Sequence, residues 1–369
     1  MKVLITGSNG FVGRNLVEFL KTKSEYDLYL FDRNNTQEEL DEWCKNCEFV
    51  VHLAGVNRTT KASEFVDGNL GVIEQVVENL KKHNNSAPIL YSSSIQAEKD
   101  NDYGKSKKLG EDFLFNYSKE FNVPVYIYRF TNLFGKWSIP NYNTVVATFC
   151  YNIARELPIT INDRNAQITF CYIDDVVKEI YSAISGNPTK DGQFCKVCET
   201  YTRSIGTVAD LIYKFKESRN TLDVINTSEL FEKKLYSTYL SFLPEQAFDY
   251  SVKMNVDTRG SFTELLKSNT SGQVSVNIVK PGITKGNHWH NTKNEKFIVV
   301  QGEAIIKFRK PFDDQIIEYR VSGKEIKIVD IPCGYTHNIT NVGTDDMVFI
   351  IWVNEKFDKE NPDTYYLEV

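Results

Sequence analysis

Basic residues are in short supply in this chain: 43 Lys and Arg stand against 49 Asp and Glu, a formal net charge of -6. A nucleic-acid or anionic-membrane partner needs a basic face to neutralise phosphate, and this composition supplies none. Long apolar runs are missing too. No stretch approaches the roughly 20 residues of a membrane helix, so membrane insertion is not expected. Seven cysteines in 369 residues are an odd number and too thinly spread for a secreted disulfide framework. The opening Met1-Lys-Val-Leu-Ile-Thr-Gly7 reads as a strand entering a turn rather than a leader, and the compartment expected is the cytoplasm. Repeats and low-complexity tracts are absent. A chain of this length fits about two domains with separate cores.

Histidine is scarce as well, and where it falls matters. Three of the five histidines sit in Gly282-Ile-Thr-Lys-Gly-Asn-His288-Trp-His290-Asn-Thr-Lys-Asn-Glu295 and Pro332-Cys-Gly334-Tyr-Thr-His337-Asn-Ile-Thr-Asn341. Strand alternation puts His288 and His290 on one face. With Glu295 and His337 they make three imidazoles and one carboxylate, a donor set for zinc, manganese, iron or nickel. The spacing G-x5-H-x-H-x4-E-x6-G, closed by Gly302, and then P-x-G-x2-H-x3-N resembles the paired motifs of the cupin superfamily. Its departure is the long gap from Gly323 to Pro332. Two C-x2-C pairs, Cys44/Cys47 and Cys195/Cys198, lack glycine knuckles and lie far apart, so ordinary core and strand positions are expected for them.

The amino-terminal half opens on Lys2-Val-Leu-Ile-Thr-Gly7-Ser-Asn-Gly10-Phe-Val-Gly13-Arg14, an apolar strand, a glycine turn and the start of an amphipathic helix. Backbone amides at a helix amino terminus suit a pyrophosphate, and glycines clear its approach. Nineteen residues after Gly13, Asp32 ends an apolar strand, where an acid can bind a ribose hydroxyl. Arg14 and Arg33 offer cations for a 2′-phosphate, which tilts the cofactor toward NADPH, although either alone reads as a solvated surface residue. Tyr103 and Lys107 stand at i and i+4 on one helical face, just after the strand Ile89-Leu-Tyr-Ser92-Ser93-Ser94. A phenol ionises near ~10, so a neighbouring ammonium that stabilises the phenolate would let Tyr103 act as an acid, with Ser94 bonded to a substrate carbonyl.

These segments, with Val50-Val-His52-Leu-Ala54-Gly55, Asn69 and Arg129-Phe-Thr-Asn132-Leu-Phe-Gly135, resemble the extended short-chain dehydrogenase/reductases of nucleotide sugars. The resemblance implies cofactor contacts from Gly7, Gly10, Gly13, Arg14, Asp32, Arg33, Ala54 and Lys107, catalysis by Ser94, Tyr103 and Lys107, and a diphosphate contact from Asn132. Phe134 stands in place of the family's tyrosine. The chain departs in a short loop between Ser94 and Tyr103 and in Ile168, where many members carry an arginine. Asn255-Val-Asp257-Thr-Arg259-Gly260-Ser-Phe262-Thr-Glu264 is similar to the opening of sugar-nucleotide 3,5-epimerases.

The architecture expected is therefore an α/β doubly wound parallel sheet over residues 1–243 followed by an all-β cupin jelly roll over 250–369. A fusion of this kind resembles bifunctional capsular polysaccharide enzymes. It implies zinc in the cupin, 3-epimerisation of a UDP-linked 4-keto-2-acetamido-2,6-dideoxy-L-hexose there, NADPH-dependent 4-keto reduction in the amino-terminal half, and a homodimer. Three alternatives share these residues: a reductase whose cupin zinc is only structural, an NADP-binding redox sensor without turnover, and an oxygen-dependent iron or manganese oxidase. The intact trio argues against the sensor. Tyr335 and Lys285 flank the metal donors and are candidates for the epimerase acid and base, with rim positions as the alternative.

Overall fold

The computed structural model describes residues 1–59 and 62–369. It divides into two compact units, Met1–Tyr213 with Thr227–Glu245, and Lys214–Asn226 with Gln246–Val369. Among the described residues no helix is long and apolar enough to cross a membrane.

The first unit is built on a parallel sheet: β1 (Lys2–Thr6), β2 (Asp27–Phe31), β3 (Phe49–His52), β4 (Ile89–Ser94) and β5 (Val125–Phe130), in the spatial order β2-β1-β3-β4-β5. Continuous apolar runs such as Val3-Leu-Ile-Thr and Phe49-Val-Val-His are what a sheet covered on both faces requires. The two faces can be traced residue by residue along β1. Val3 and Ile5 pack with Leu16, Leu20, Val176 and Ile180, whereas Leu4 packs with Leu40, Val50, Val76 and Leu80. The direction of chain progress across the sheet reverses between β1 and β3. That switch point opens a crevice at the carboxyl ends of the strands, the usual ligand position in an open α/β sheet. A smaller sheet of Asn132–Phe134, Gln167–Tyr172 and Tyr201–Ser204 completes the unit.

The second unit is all β. A six-stranded sheet and a five-stranded sheet, every pairing antiparallel, surround one core of Val279, Phe297, Val299, Ile306, Phe308, Ile339, Met347 and Phe349. Val279, Phe297 and Phe349 come from the larger sheet and Ile306, Phe308 and Ile339 from the smaller. Period-two burial along Gly272–Val279 turns Gln273, Ser275, Asn277 and Val279 inward.

The span 1–243 expected for the first domain needs a correction. Residues 214–226 join the second unit, because Val224 donates to the Lys267 carbonyl (2.7 Å), Lys267 donates to the Leu222 carbonyl (2.8 Å), and Asp223 pairs with Lys356. Backbone bonding of that kind carries no signature in side-chain pattern.

Candidate functional site

The glycine turn connects β1 to the helix Phe11–Lys21. Gly7 has φ +70°, and a Cβ there would stand 2.7 Å from the Ala54 amide nitrogen; a Cβ on Gly13 would meet the Gly7 carbonyl at 2.3 Å. Both positions exclude any side chain, and Ala54 is drawn against the turn. Gly10 caps the helix with no side-chain bond, and the first helical turn holds no acidic residue. Its amides are therefore left for an anion, with the helix dipole behind them. Asp32, just past β2, accepts from the Asn9 amide (2.8 Å) and the Arg33 amide (2.8 Å), so the carboxylate is locked beside the turn. Arg14 and Arg33 are exposed. These residues fit a dinucleotide: a side-chain-free turn, uncapped amides and a fixed acid.

Ser94 ends β4 and caps a short 3-10 turn through the Gln96 amide (3.2 Å). Tyr103 lies in the first turn of the helix Asp102–Phe121, which Asn101 caps through the Gly104 amide (2.8 Å). Burial raises the Tyr103 pKa and the Ser94 hydroxyl, hydrogen-bonded to it, opposes the rise. Lys107 lies one turn further on, buried, with its ammonium bonded to the Ser92 carbonyl (2.9 Å) and above the Tyr91 ring at 5.2 Å. Burial brings its pKa down to about 8, against the attraction of Glu111. A Cβ on Gly55 would come within 3.1 Å of that ammonium, which ties the end of β3 to the trio.

The structure shows what holds the other motif residues, and brings in Glu111 and Ser106, which sequence reasoning missed. His52 bonds Thr6 (2.9 Å) and stacks on Tyr91 with ring centroids 5.6 Å apart. Burial and the Lys107 charge hold it neutral, with a pKa of about 3. Buried Asn69 ties the Val56 backbone to the Ser106 hydroxyl (2.9 Å). Arg129 makes a two-point bond to fully buried Glu111, 2.8 and 2.6 Å, with Ser93 on the same carboxylate. Asn132 is exposed and bonds the Thr169 carbonyl at 3.2 Å. Ile168 faces Arg203 across the neighbouring strand, and that guanidinium is held by Glu229 at 3.0 Å.

In the second unit the four donors converge. His288 lies on the strand Thr284–Trp289, His290 just past its end, His337 on the paired strand Thr336–Asn341, and Glu295 opens a strand of the other sheet. A bulge lies between Gly286 and His288, where Gly286 takes φ +107° and a Cβ would strike the His337 carbonyl at 2.7 Å. The bulge lets His288 stand opposite His337. One ligand atom from each of the four residues lies within 4.8 Å of every other. The Nε2 atoms of His290 and His337 and Oε2 of Glu295 are buried without a hydrogen-bond partner. Burying three such atoms uncompensated costs free energy, and a divalent cation would satisfy all of them.

The protonation states also fit a cation. Burial, with His337 beside it, lowers the His288 pKa to about 4. Burial would raise Glu295, but the imidazoles of His290 and His337 beside its carboxylate, 3.8 and 3.2 Å away, outweigh it and bring the pKa down to about 2. Beside Glu295 runs a cavity of about 230 Å³ lined by Phe262, Glu264, Gln273 and Lys293. A larger one of about 620 Å³ is lined by Arg259, Asn277 and Lys285. Lys285 is bonded to the Ser261 carbonyl at 3.2 Å, and burial lowers its pKa. Tyr335 is half-buried and presents its carbonyl to His337 Nδ1 at 3.4 Å. The cysteine pairs form no such centre. Cys44 and Cys47 are buried, and desolvation pushes the Cys47 thiol up to about 12.

Comparison with known proteins gives two family matches. The NAD dependent epimerase/dehydratase family matches residues 3–193, and the polysaccharide biosynthesis C-terminal domain matches residues 255–365. The chain is 46% identical over 369 residues to a Pseudomonas aeruginosa UDP-2-acetamido-2,6-beta-L-arabino-hexul-4-ose reductase, covering 100% of this chain and 99% of that one. Among solved structures it is similar to the capsular polysaccharide assembling protein CapF from Staphylococcus aureus, with TM-score 0.95, 52% identity and 100% of both chains covered. A UDP-glucuronic acid 4-epimerase from Bacillus cereus in complex with NAD shares the fold of the first unit at TM-score 0.56 and 19% identity, over 66% of this chain and 96% of that one.

Proposed function

Since the chain belongs to the NAD dependent epimerase/dehydratase family, whose members use a nicotinamide cofactor, we propose that it is a bifunctional nucleotide-sugar enzyme. In this reading the second unit inverts carbon 3 of a UDP-linked 4-keto-2-acetamido-2,6-dideoxy-L-hexose. The first unit then reduces the 4-ketone with NADPH to UDP-2-acetamido-2,6-dideoxy-L-talose, a precursor for capsular polysaccharide. The observation that carries it is the convergence of His288, His290, Glu295 and His337, with orphaned buried donor atoms, in a chain whose relative is named a UDP-hexulose reductase.

The chemistry follows from the residues. His288, His290, Glu295 and His337 would hold zinc, which when bound supplies a Lewis acid able to stabilise a developing enolate oxygen. Lys285 carries a pKa lowered by burial and lines the larger cavity, so it is the candidate for moving the carbon 3 proton. In the first unit the glycine turn and Asp32 would hold NADPH, which supplies hydride when bound. Arg14 and Arg33 are the cations offered to its 2′-phosphate. Ser94 holds the ketone oxygen, Tyr103 gives it a proton, and the Lys107 ammonium offsets the charge left on the phenolate. Asn132 is the proposed diphosphate contact. Homodimer formation belongs to the same reading.

The test is proton NMR of the ketosugar in deuterated water with enzyme and no NADPH. Deuterium should enter carbon 3 faster than in the enzyme-free control and the excess should vanish in His290→Ala. No exchange above control, in protein that still oxidises NADPH with the ketone, would reduce the zinc to a structural role and leave a plain reductase.

A further inference from the structure

Among the four donors, His290 is held from outside the cluster by the chain's carboxyl-terminal strap. Its Nδ1 lies 2.6 Å from the main-chain carbonyl of Asp363. A carbonyl only accepts, so Nδ1 carries the proton and Nε2 is left with its lone pair facing Glu295 Oε2, 3.8 Å away. Asp363 itself is pinned with unusual density. Its carboxylate accepts from the amides of Asn291 (3.0 Å), Thr292 (2.8 Å) and Lys293 (2.9 Å) and from the Thr292 hydroxyl (3.1 Å). It does so at φ +38°, a left-handed backbone that costs a non-glycine residue free energy unless its surroundings impose it.

The strap is fastened on both sides of that residue. The Lys293 ammonium bonds the Pro362 carbonyl (2.6 Å) and the Thr364 hydroxyl (3.0 Å). Tyr365 and Tyr366 pair with Trp289 and His288 as an added edge strand, Tyr365 stacks on Trp289 at 4.8 Å, and the Leu367 amide bonds the Asn287 carbonyl at 3.0 Å. Every one of these bonds lands on residues 287–293, the segment that carries two of the four donors.

We infer that Asp363 is a positioning residue of the metal centre: it fixes the tautomer and orientation of His290 and, through its carboxylate, the loop that carries it. The inference rests on the reading of His288, His290, Glu295 and His337 as metal ligands. Groups behind ligating histidines set metal affinity by about 10–100-fold, and Asp363 acts at that distance from the ion.

The experiment measures zinc affinity of the full-length protein by competition with a chromophoric chelator, alongside the visible spectrum of the cobalt(II) form. Asp363→Ala should weaken zinc binding by about 10–100-fold and change the cobalt band positions or intensities. Wild-type affinity with an unaltered cobalt spectrum would overturn the inference. His337→Ala is run in parallel: if it binds zinc as tightly as the wild type, the four-ligand reading itself has failed, an outcome distinct from an indifferent Asp363→Ala. A measurement on the wild type needs no variant to fold. Linkage is reciprocal, so zinc should slow amide hydrogen exchange at residues 291–293 and 364–367 together, by about tenfold. Protection confined to 291–293, with the strap unaffected, would also overturn the inference.

Discussion

In the proposed reduction Lys107 must keep its proton to stabilise a Tyr103 phenolate, and its pKa of about 8 sets the pH at which that fails. Reduction should therefore be steady near neutrality and fall as pH rises through about 8. A kcat profile at saturating NADPH checks this, and Tyr103→Phe should lose about 10²–10⁴-fold in kcat at any pH. His52 governs a different pH range through stability. Its pKa is about 3 in the folded chain and near 6.5 when exposed. Between those values the unfolded chain binds the extra proton, so stability is complete above about 6.5 and is lost as pH falls toward 3. His52→Phe keeps a ring to stack on Tyr91 and removes the titration. Its urea unfolding free energy should decline by about 1.4 kcal/mol less per pH unit across that window than the wild type's, although its absolute stability loses the Thr6 bond.

At the scale of elements, the glycine turn is where backbone geometry alone decides function. Gly13→Ala would drive a methyl into the Gly7 carbonyl, 2.3 Å from an ideal Cβ. The obstructing carbonyl is backbone and has no flexible end to swing aside, so the turn must open and its amides turn away. NADPH affinity, read by fluorescence titration, should fall at least about tenfold while the second unit's zinc content stays at the wild-type level. This turn was legible in the sequence because its chemistry is written locally: strand, glycines, helix and acid follow one another at fixed spacing. The donors His288, His290, Glu295 and His337 were legible for the same reason, since their motifs are written locally, and one strand pair with the start of a strand in the facing sheet brings them within 4.8 Å. The groups behind them were not. Asp363 lies 73 residues from the imidazole it holds, and a backbone carbonyl has no residue type to betray it. Arg129 pairs with buried Glu111 across 18 residues, but in the sequence Glu111 passes for a solvated charge and nothing joins the two. Residues 214–226 looked like the end of the first domain because their bonds to Lys267 are made by main chain.

For the whole molecule, the proposed pair of chemistries on separate cores predicts a separation that a single-site enzyme could not show. In the proposed reading reduction depends on Ser94, Tyr103 and Lys107 of the first unit. In the same reading epimerisation depends on His288, His290, Glu295 and His337, of which the last three carry buried atoms with no hydrogen-bond partner. Stripping the metal with a chelator should leave NADPH oxidation with an already epimerised ketosugar within about twofold of the untreated rate. With the unepimerised ketosugar as the starting material, formation of the talose product should cease. The same treatment should destabilise the second unit selectively, since a ligand held at 100 times its Kd contributes about 2.7 kcal/mol to the unit that binds it. Calorimetry should then show one of two transitions moving down on chelation and returning with added zinc. A single transition that moves as a whole, with both ketosugars losing turnover together, would mean that the two cores unfold as one and that the metal's role is to hold the molecule together. Because an epimerisation between neighbouring ketosugars is near balance, the irreversible hydride step is what draws it forward. On the proposed reading, joining both activities in one chain would keep their amounts equal and secure that pull.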